Sequence, residues 1–177
     1  IGGAIKYVTA KIGDEPKFSL RANAGTYKQI DVIASASAPI NDLIAIGGSV
    51  AHYSRDGFGE NVFTGADTNN KNVFAARATI EVTPSEALYF RFSGDRTDDD
   101  SNANHGHREV PLPPLFAGAP FHVPAECLPV LESEYHTCAG IGDSGEVITQ
   151  GVSALAEWTV SDQVTLKSIS AYRDGVT

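Results

Sequence analysis

Residues 72–95 read NVFAARATIEVTPSEALYFRFSGD, a stretch in which apolar and polar side chains alternate on both sides of one turn signal. The apolar side chains recur at every second position, which is the period of a β-strand rather than of a helix. The stretch therefore predicts two antiparallel strands, at 72–82 and 87–95, joined by a tight turn at 83–86.

The same period recurs along most of the chain. Three further alternating runs lie at 17–24, 29–38 and 151–160. Two more runs have the composition of strands but no clear phase, at 43–53 and 164–173. Seven strands without a convincing helix predict an all-β chain. One face of the alternating strands is rich in Ala, with aromatic side chains near the strand ends. The opposite face carries charged side chains along the strands, namely Arg21, Asp31, Arg77, Glu81, Arg91 and Glu157.

The connections between the predicted strands differ in length at the two ends. Tight turns are predicted at 38–42, 83–86 and 161–163, whereas the opposite connections lie at 25–28, 54–71 and 96–146. Strands of about ten residues, with short turns at one end and long loops at the other, are typical of an outer-membrane β-barrel. A soluble β-sandwich also alternates in this way, so the pattern leaves it open as an alternative.

The charge balance argues against one class of partner. The 177 residues include 22 acidic and 13 basic side chains, which gives a net charge of −9. Nucleic-acid binding needs a basic surface that displaces counterions from phosphates, so we expect no nucleic-acid partner. The chain begins at Ile1 without a Met, and seven strands are too few to close a barrel. We therefore expect the natural protein to be longer at both ends.

Several short motifs follow one another in an order that resembles one family. Residues 2–9 read GGAIKYVT and resemble the end of the plug domain of TonB-dependent outer-membrane receptors. The motifs that follow, similar to that family's first barrel strands and to a common later strand, are GTY at 25–27, AP at 38–39, YSRDGF at 53–58, NVFTG at 61–65 and LKSISAYR at 166–173.

The resemblance implies a fold and an organisation. Receptors of this family are 22-stranded antiparallel up-and-down transmembrane barrels with long extracellular loops and an N-terminal plug in the lumen. On this basis residues 1–12 are expected to be the C-terminal end of the plug domain. Residues 13–177 are expected to form the N-terminal part of the barrel, about seven strands of a larger whole.

The resemblance also implies a function without catalytic chemistry or a cofactor. A receptor of this family imports a scarce nutrient across the bacterial outer membrane, most often a ferric siderophore or a similar metal chelate. Its expected partners are outer-membrane lipid, a small-molecule ligand, and the TonB complex, contacted through a region N-terminal to this chain. A passive porin-like channel and a secreted β-sandwich binding module are the alternatives.

The longest predicted loop holds the candidate site residues. Cys127 and Cys138 are separated by ten residues, and we predict a disulfide between them because this loop faces an oxidising compartment during assembly. The proline-rich stretch 110–129 should form neither a paired strand nor a helix. The residues of this loop that we expect to face ligand at the barrel mouth are Phe116, Phe121 and His122, and a loop packed only on itself is the alternative.

Three other constellations are weighed and given structural interpretations. The loop histidines His105, His107, His122 and His136 could bind a transition metal, and the run Asp98-Asp99-Asp100 could bind calcium. Neither set has the spacing of a known metal motif, so we interpret both as solvated loop residues. The segment Gly142-Asp143-Ser144-Gly145 resembles a protease nucleophile segment, but it has no His or Asp in a matching context. We expect no enzyme activity.

Overall fold

The computed structural model describes residues 9–104, 106–117, 123–140 and 143–177. The main element is one antiparallel sheet of seven strands, ordered β1-β2-β3-β6-β7-β8-β9, and a separate two-stranded hairpin is formed by β4 and β5. The strands are β1 (Lys17–Ala24), β2 (Ile30–Pro39), β3 (Ile44–Arg55), β4 (Gly59–Asn61), β5 (Ala66–Thr68), β6 (Lys71–Ser85), β7 (Leu88–Asp99), β8 (Val147–Ser161) and β9 (Val164–Val176).

The predicted all-β class and the up-and-down order of the strands are confirmed. Each strand of the main sheet pairs with the next one in the chain, except that the hairpin is inserted between β3 and β6. The edges of the described sheet are β1 and β9. No helix in the described part of the chain is long and apolar enough to cross a membrane.

The turn between β6 and β7 lies later than predicted. Strand β6 continues through Pro84 to Ser85, and its pairing with β7 is irregular between Val82 and Ser85. Proline cannot donate to a neighbouring strand, but a bulge does not require that donor. The strand therefore passes the proline, and the turn falls at Glu86 and Ala87.

The other end of the sheet carries more structure than the sequence indicates. The connection between β3 and β6 contains the β4–β5 hairpin, which the alternation does not predict. The proline-rich stretch contains two single turns of 3-10 helix, Pro114–Ala117 and Ala125–Cys127, so the expectation of no helix there is wrong for short turns. Proline is tolerated at the first position of such a turn because its missing N–H has no partner there anyway.

The pairing register sorts the side chains of the sheet onto two faces. Residues opposite each other in neighbouring strands lie on the same side, so one face can be followed from β1 to β9. The apolar face carries large exposed side chains, which include Phe18, Leu20, Val32, Ile46, Val50, Phe74, Ile80, Phe92, Val152, Trp158, Leu166 and Tyr172. These are the faces predicted for the alternating strands.

The register also assigns the two strands that the sequence leaves without a phase. Strand β3 places Val50 on the apolar face and Ser49 on the other, and β9 places Tyr172 on the apolar face and Lys167 on the other. The polar pattern of β9 is blurred because Ile169 lies on the polar face, where it is exposed.

Within the described part of the chain, no protein layer covers the apolar face. Among the described residues, Tyr89 and Cys127 are the buried hydrophobic side chains, whereas Phe18 is 73% exposed and Tyr172 is 68% exposed. A β-sandwich buries the apolar faces of two sheets against each other. The described residues form one large sheet and a short hairpin, so they do not contain the two packed sheets of a sandwich.

Candidate functional site

The polar face of the sheet holds a set of ion pairs between neighbouring strands. Arg91 on β7 binds Glu81 on β6 with 2.8 Å between Nε and Oε1, and both side chains are largely buried. On the same face, Arg173 binds Asp95 at 2.7 Å and Lys167 lies 3.5 Å from Glu157. Because cations and anions alternate across the strands, much of their charge is neutralised locally.

The alternating pattern predicts that Arg21, Arg77 and Arg91 pair with Asp31, Glu81 and Asp95 on neighbouring strands, and this is confirmed for one of the three arginines. Arg91 pairs with Glu81, as expected from neighbouring strands. Asp95 pairs with Arg173 rather than with Arg77. Within the described residues, Arg21 and Arg77 form no ion pair, and Asp31 accepts a hydrogen bond from the Gln29 amide at 2.7 Å.

A short segment before β1 crosses the polar face. Arg91 donates from Nη1 to the Thr9 carbonyl and from Nη2 to the Ala10 carbonyl, both at 3.1 Å. The Ile12 amide donates to Oε2 of Glu81 at 3.0 Å. The segment 9–12 is therefore bound through its backbone by one buried ion pair.

The side chains of the segment add to this contact. The Lys11 ammonium lies 3.9 Å from the centre of the Tyr89 ring and 3.7 Å from Glu157, a cation–π contact and an ion pair. The Ile12 Cδ1 atom lies 3.2 Å from the place that a Cβ atom would take at Gly47. The absence of a side chain at Gly47 thus allows the segment to approach the sheet closely.

A cavity of about 700 Å³ lies between this segment and the sheet. Its polar lining is formed mainly by hydroxyl groups of four strands, together with Arg77 and Glu81, and includes Ser19, Ser35, Ser37, Ser49 and Thr79. Hydroxyl and guanidinium groups in a concave space can hydrogen-bond an anionic or strongly hydrated solute. This cavity is the candidate site on the polar face.

The two long connections interlock at the far end of the sheet. We call them the loop cap, defined as residues 56–70 and 100–146. Asn61 is fully buried in the cap, and its Nδ2 donates to the Ala139 carbonyl at 2.9 Å and to Asp143 Oδ1 at 2.6 Å. Backbone hydrogen bonds join Val62 to Thr137 and Thr137 to Glu60. The cap is thus an organised unit, held by polar contacts between residues far apart in sequence.

A second centre of the cap is the Arg108 guanidinium. It donates to the carbonyls of Val110, Cys127 and Pro129 at 2.9, 2.5 and 2.9 Å. Cys127 is joined to Cys138 by a disulfide, and their Cα atoms are 5.7 Å apart. The Arg108 guanidinium and the disulfide therefore hold the proline-rich part of the cap together.

An aromatic group lies where the cap meets the β1–β2 turn. The rings of Tyr27 and Phe58 are 5.8 Å apart, and those of Phe58 and Tyr135 are 5.0 Å apart and edge-to-face. Beside them Lys28 binds Asp56 at 2.7 Å, and this hydrogen bond raises the pKa of the Lys28 amine above its ordinary value. These contacts tie the first turn to the cap.

The residues predicted to face ligand are only partly described. Phe116 is half-buried in the first 3-10 turn, and its backbone carbonyl accepts from Val123 at 3.0 Å. Phe121 and His122 lie outside the described residues, as does His105. A ligand-facing role for this part of the cap stays a prediction.

The structure gives the remaining candidate residues internal partners. His107 Nδ1 lies 3.2 Å from the His136 carbonyl, so these histidines meet through backbone and not through two rings. Asp98 binds Arg96, and Asp99 accepts from the Ser101 amide at 3.0 Å. In the described ranges, no group of three or more His, Cys, Asp or Glu side chains could hold a metal ion.

One solved structure shares the fold of this chain. The chain superimposes on the ferric yersiniabactin uptake receptor FyuA from Yersinia pestis with a TM-score of 0.69, over 94% of its own length. The chain resembles a TonB-dependent receptor in fold. Sequence identity is 15%, and the chain spans 24% of that receptor's length. No family model and no curated protein matches the sequence.

Reasoning from the sequence missed the contacts that organise this receptor-like fold. The hydrogen bonds that hold residues 9–12 and those that hold the buried Asn61 both join residues about 70 to 80 positions apart. Arg91 and Arg77 occupy equivalent positions in the alternating pattern, yet only Arg91 is paired in the described structure. The one available signal was that two charged side chains, Glu81 and Arg91, stood on neighbouring strands near the tight turn.

Proposed function

We propose that this chain is the end of the plug and the first barrel strands of an outer-membrane uptake receptor. Residues 1–12 are then the C-terminal end of the plug domain, and residues 13–177 are the N-terminal part of a 22-stranded barrel. The apolar face meets lipid and the polar face lines the lumen. The loop cap lies on the extracellular side.

The observation that carries this proposal is the segment 9–12 bound across the polar face of a sheet whose apolar face is bare. A bare apolar face of seven strands is stable when hydrocarbon covers it. A polar face that binds the preceding chain suits a barrel with a plug inside. An open porin does not require that contact.

The transported solute is proposed from the class of receptor that the fold supports. A ferric siderophore or a similar anionic metal chelate could hydrogen-bond the hydroxyl groups and the Arg77 guanidinium in the lining of this cavity. Phe116, Phe121 and His122 are proposed to meet this ligand from the cap. Energy for uptake comes from the TonB complex through the region N-terminal to the plug end.

Uptake by the natural full-length protein tests the function. Cells that carry the gene should accumulate a radiolabelled ferric chelate, and accumulation should stop when the proton gradient is dissipated. The control is the same strain without the gene. Passive flux of small sugars through the purified protein in liposomes, without any chelate uptake by cells, would support the porin alternative instead.

A further inference from the structure

The geometry points to a specific role for Glu81 and Arg91: they form a backbone clamp that fixes residues 9–12 to the wall of the sheet. The clamp stops movement of the preceding chain from reaching β1. This effect on β1 rests on the proposed function, because it assumes that a plug precedes residue 9. The anchoring itself rests on contacts between described residues.

The first reason is the number and kind of contacts that the pair makes. Three hydrogen bonds join the pair to the backbone of the segment, at Thr9, Ala10 and Ile12. Arginine offers a rigid fork of donors, and a carboxylate offers two acceptors. Arg91 faces Oε1 of Glu81 with Nε and Nη2, at 2.8 and 2.7 Å, and reaches the segment with Nη1 and Nη2. Glu81 keeps its second oxygen, Oε2, for the Ile12 amide.

The second reason is that the clamp recognises backbone rather than side chains. Its partners are two backbone carbonyls and one backbone amide, so these hydrogen bonds do not depend on the side chains of residues 9 and 10. The pair is largely buried, with 11% of the Arg91 side chain and 5% of the Glu81 side chain exposed. Charge-assisted hydrogen bonds in such a site are stronger than exposed ones.

The third reason is the position of the clamp along the chain. Strand β1 begins at Lys17, five residues after Ile12, and β1 is an edge of the described sheet. Movement of the preceding chain would therefore reach β1 before any other strand of the sheet. Because the clamp residues lie on the central strands β6 and β7, a pull on the preceding chain acts on these strands and not on β1.

The test measures amide hydrogen exchange of residues 9–13 in the folded full-length protein in detergent. We expect Arg91→Gln to speed exchange of the Ile12 amide about tenfold, since one charged partner is lost and Glu81 is left without its fork. The matched control is Arg77→Gln, a guanidinium on the same face without an ion pair among the described residues. Its exchange at residues 9–13 should equal that of the native protein.

A charge exchange separates the clamp from a simple strand-to-strand ion pair. The double variant Glu81→Arg with Arg91→Glu restores the ion pair, but it turns a carboxylate toward two carbonyls and a guanidinium toward an amide. We expect this double variant to fold, which is measured by the difference in gel mobility between heated and unheated samples. Its amides at residues 9–13 should nevertheless exchange fast. Native-like protection in this double variant would overturn the clamp.

A conservative variant keeps the test decisive if the other variants fail to fold. Arg91→Lys retains a cation beside Glu81 and loses the fork, so exchange at residues 9–13 should be intermediate. Protection equal to the native protein would again overturn the inference. These outcomes concern only residues 9–13, so they are distinct from failure of uptake, which would contradict the proposed function.

Discussion

Arg173 on β9 reaches across Gly151 on β8 to bind Asp95 on β7, with 2.7 Å between Nη2 and Oδ2. The three residues lie in one row of the sheet, because Asp95 is opposite Gly151 and Gly151 is opposite Arg173. A Cβ atom at Gly151 would stand 3.4 Å from the Arg173 guanidinium carbon and 3.1 Å from the Tyr172 carbonyl. The small residue therefore opens the path for this pair.

Replacement of Gly151 by valine should break the Asp95–Arg173 pair, since the added methyl groups occupy the path of the guanidinium. We expect a loss of about 1 kcal/mol in the free energy of unfolding, as for a partly exposed ion pair. Urea unfolding of the full-length protein measures it. Arg173→Gln should cost little in the Gly151→Val background. Gly94→Ala is the control, because a Cβ there meets no atom closer than 3.8 Å. Equal effects of the two glycine variants would contradict the explanation.

Phe92→Arg should impair assembly in the outer membrane, because Phe92 lies on the apolar face and is 50% exposed there. A charge near the middle of the bilayer costs about 2–4 kcal/mol. The measurement is the folded fraction of full-length protein extracted from membranes. Thr97→Arg, on the polar face of the same strand, is the control and should assemble normally.

Labelling from inside the bilayer provides an independent measure of the same assignment. A lipid-soluble photoreagent should modify Phe92 and leave Thr97 unmodified. If the reagent modified Thr97 more than Phe92 in the folded protein, the assignment of the two faces would be reversed.

Removal of the disulfide should loosen the loop cap and leave the sheet intact. The bond closes a loop of about a dozen residues, for which the chain-entropy model gives about 3 kcal/mol of local stabilisation. Cys127→Ser with Cys138→Ser should therefore raise the rate of proteolysis within the cap several-fold. Urea unfolding of the sheet should not change. Free-thiol labelling of native protein under denaturing, non-reducing conditions is the check, and modification of both cysteines would contradict the pairing.

Asn61→Asp should destabilise the cap more than Asn61→Ala does. The Asn61 amide donates to the Ala139 carbonyl and to Asp143, and a carboxylate in its place would face two acceptors. Burial and the like charge should raise the pKa of the introduced carboxyl above that of an unfolded Asp. A raised folded pKa means that the folded cap is stabilised by protonation, so the damage should be larger at pH 8 than at pH 5.

Proteolysis of the cap at the two pH values measures this effect. Asn104→Asp is the control, because Asn104 is exposed in the structure, and its rate should follow that of the native protein at both pH values. Equal damage from Asn61→Asp at pH 5 and pH 8 would show that charge at position 61 is not the cause.

The seven strands of the main sheet, and the faces of five of them, could be predicted from the sequence because strand alternation is a local property. Every second side chain of a strand points to the same side whatever the strand pairs with. The seven strands of the main sheet, the tight turn after β2 and the position of Phe92 on the apolar face follow from this period. The prediction failed where one residue changed the local rule, as at Pro84, which β6 passes through a bulge.

The candidate site could not be predicted in the same way. Arg77 and Arg91 both lie on the polar face of an alternating strand, so the pattern does not distinguish one from the other. Asn61 is one polar residue among many in a loop, and nothing beside it in the sequence indicates that it is fully buried. What distinguishes these residues is which distant segment reaches them.

The sequence by itself determined that the chain is all-β, where the seven strands of the main sheet lie to within a few residues, which face is apolar in five of them, and which end carries the long loops. Period and turn chemistry act within a few residues, and so they can be recognised without the fold. Only the tertiary structure decided that Arg91 and Glu81 hold the backbone of residues 9–12 and that two long loops form one cap. These contacts join residues 69 to 82 positions apart, and no local pattern encodes a hydrogen bond over that separation.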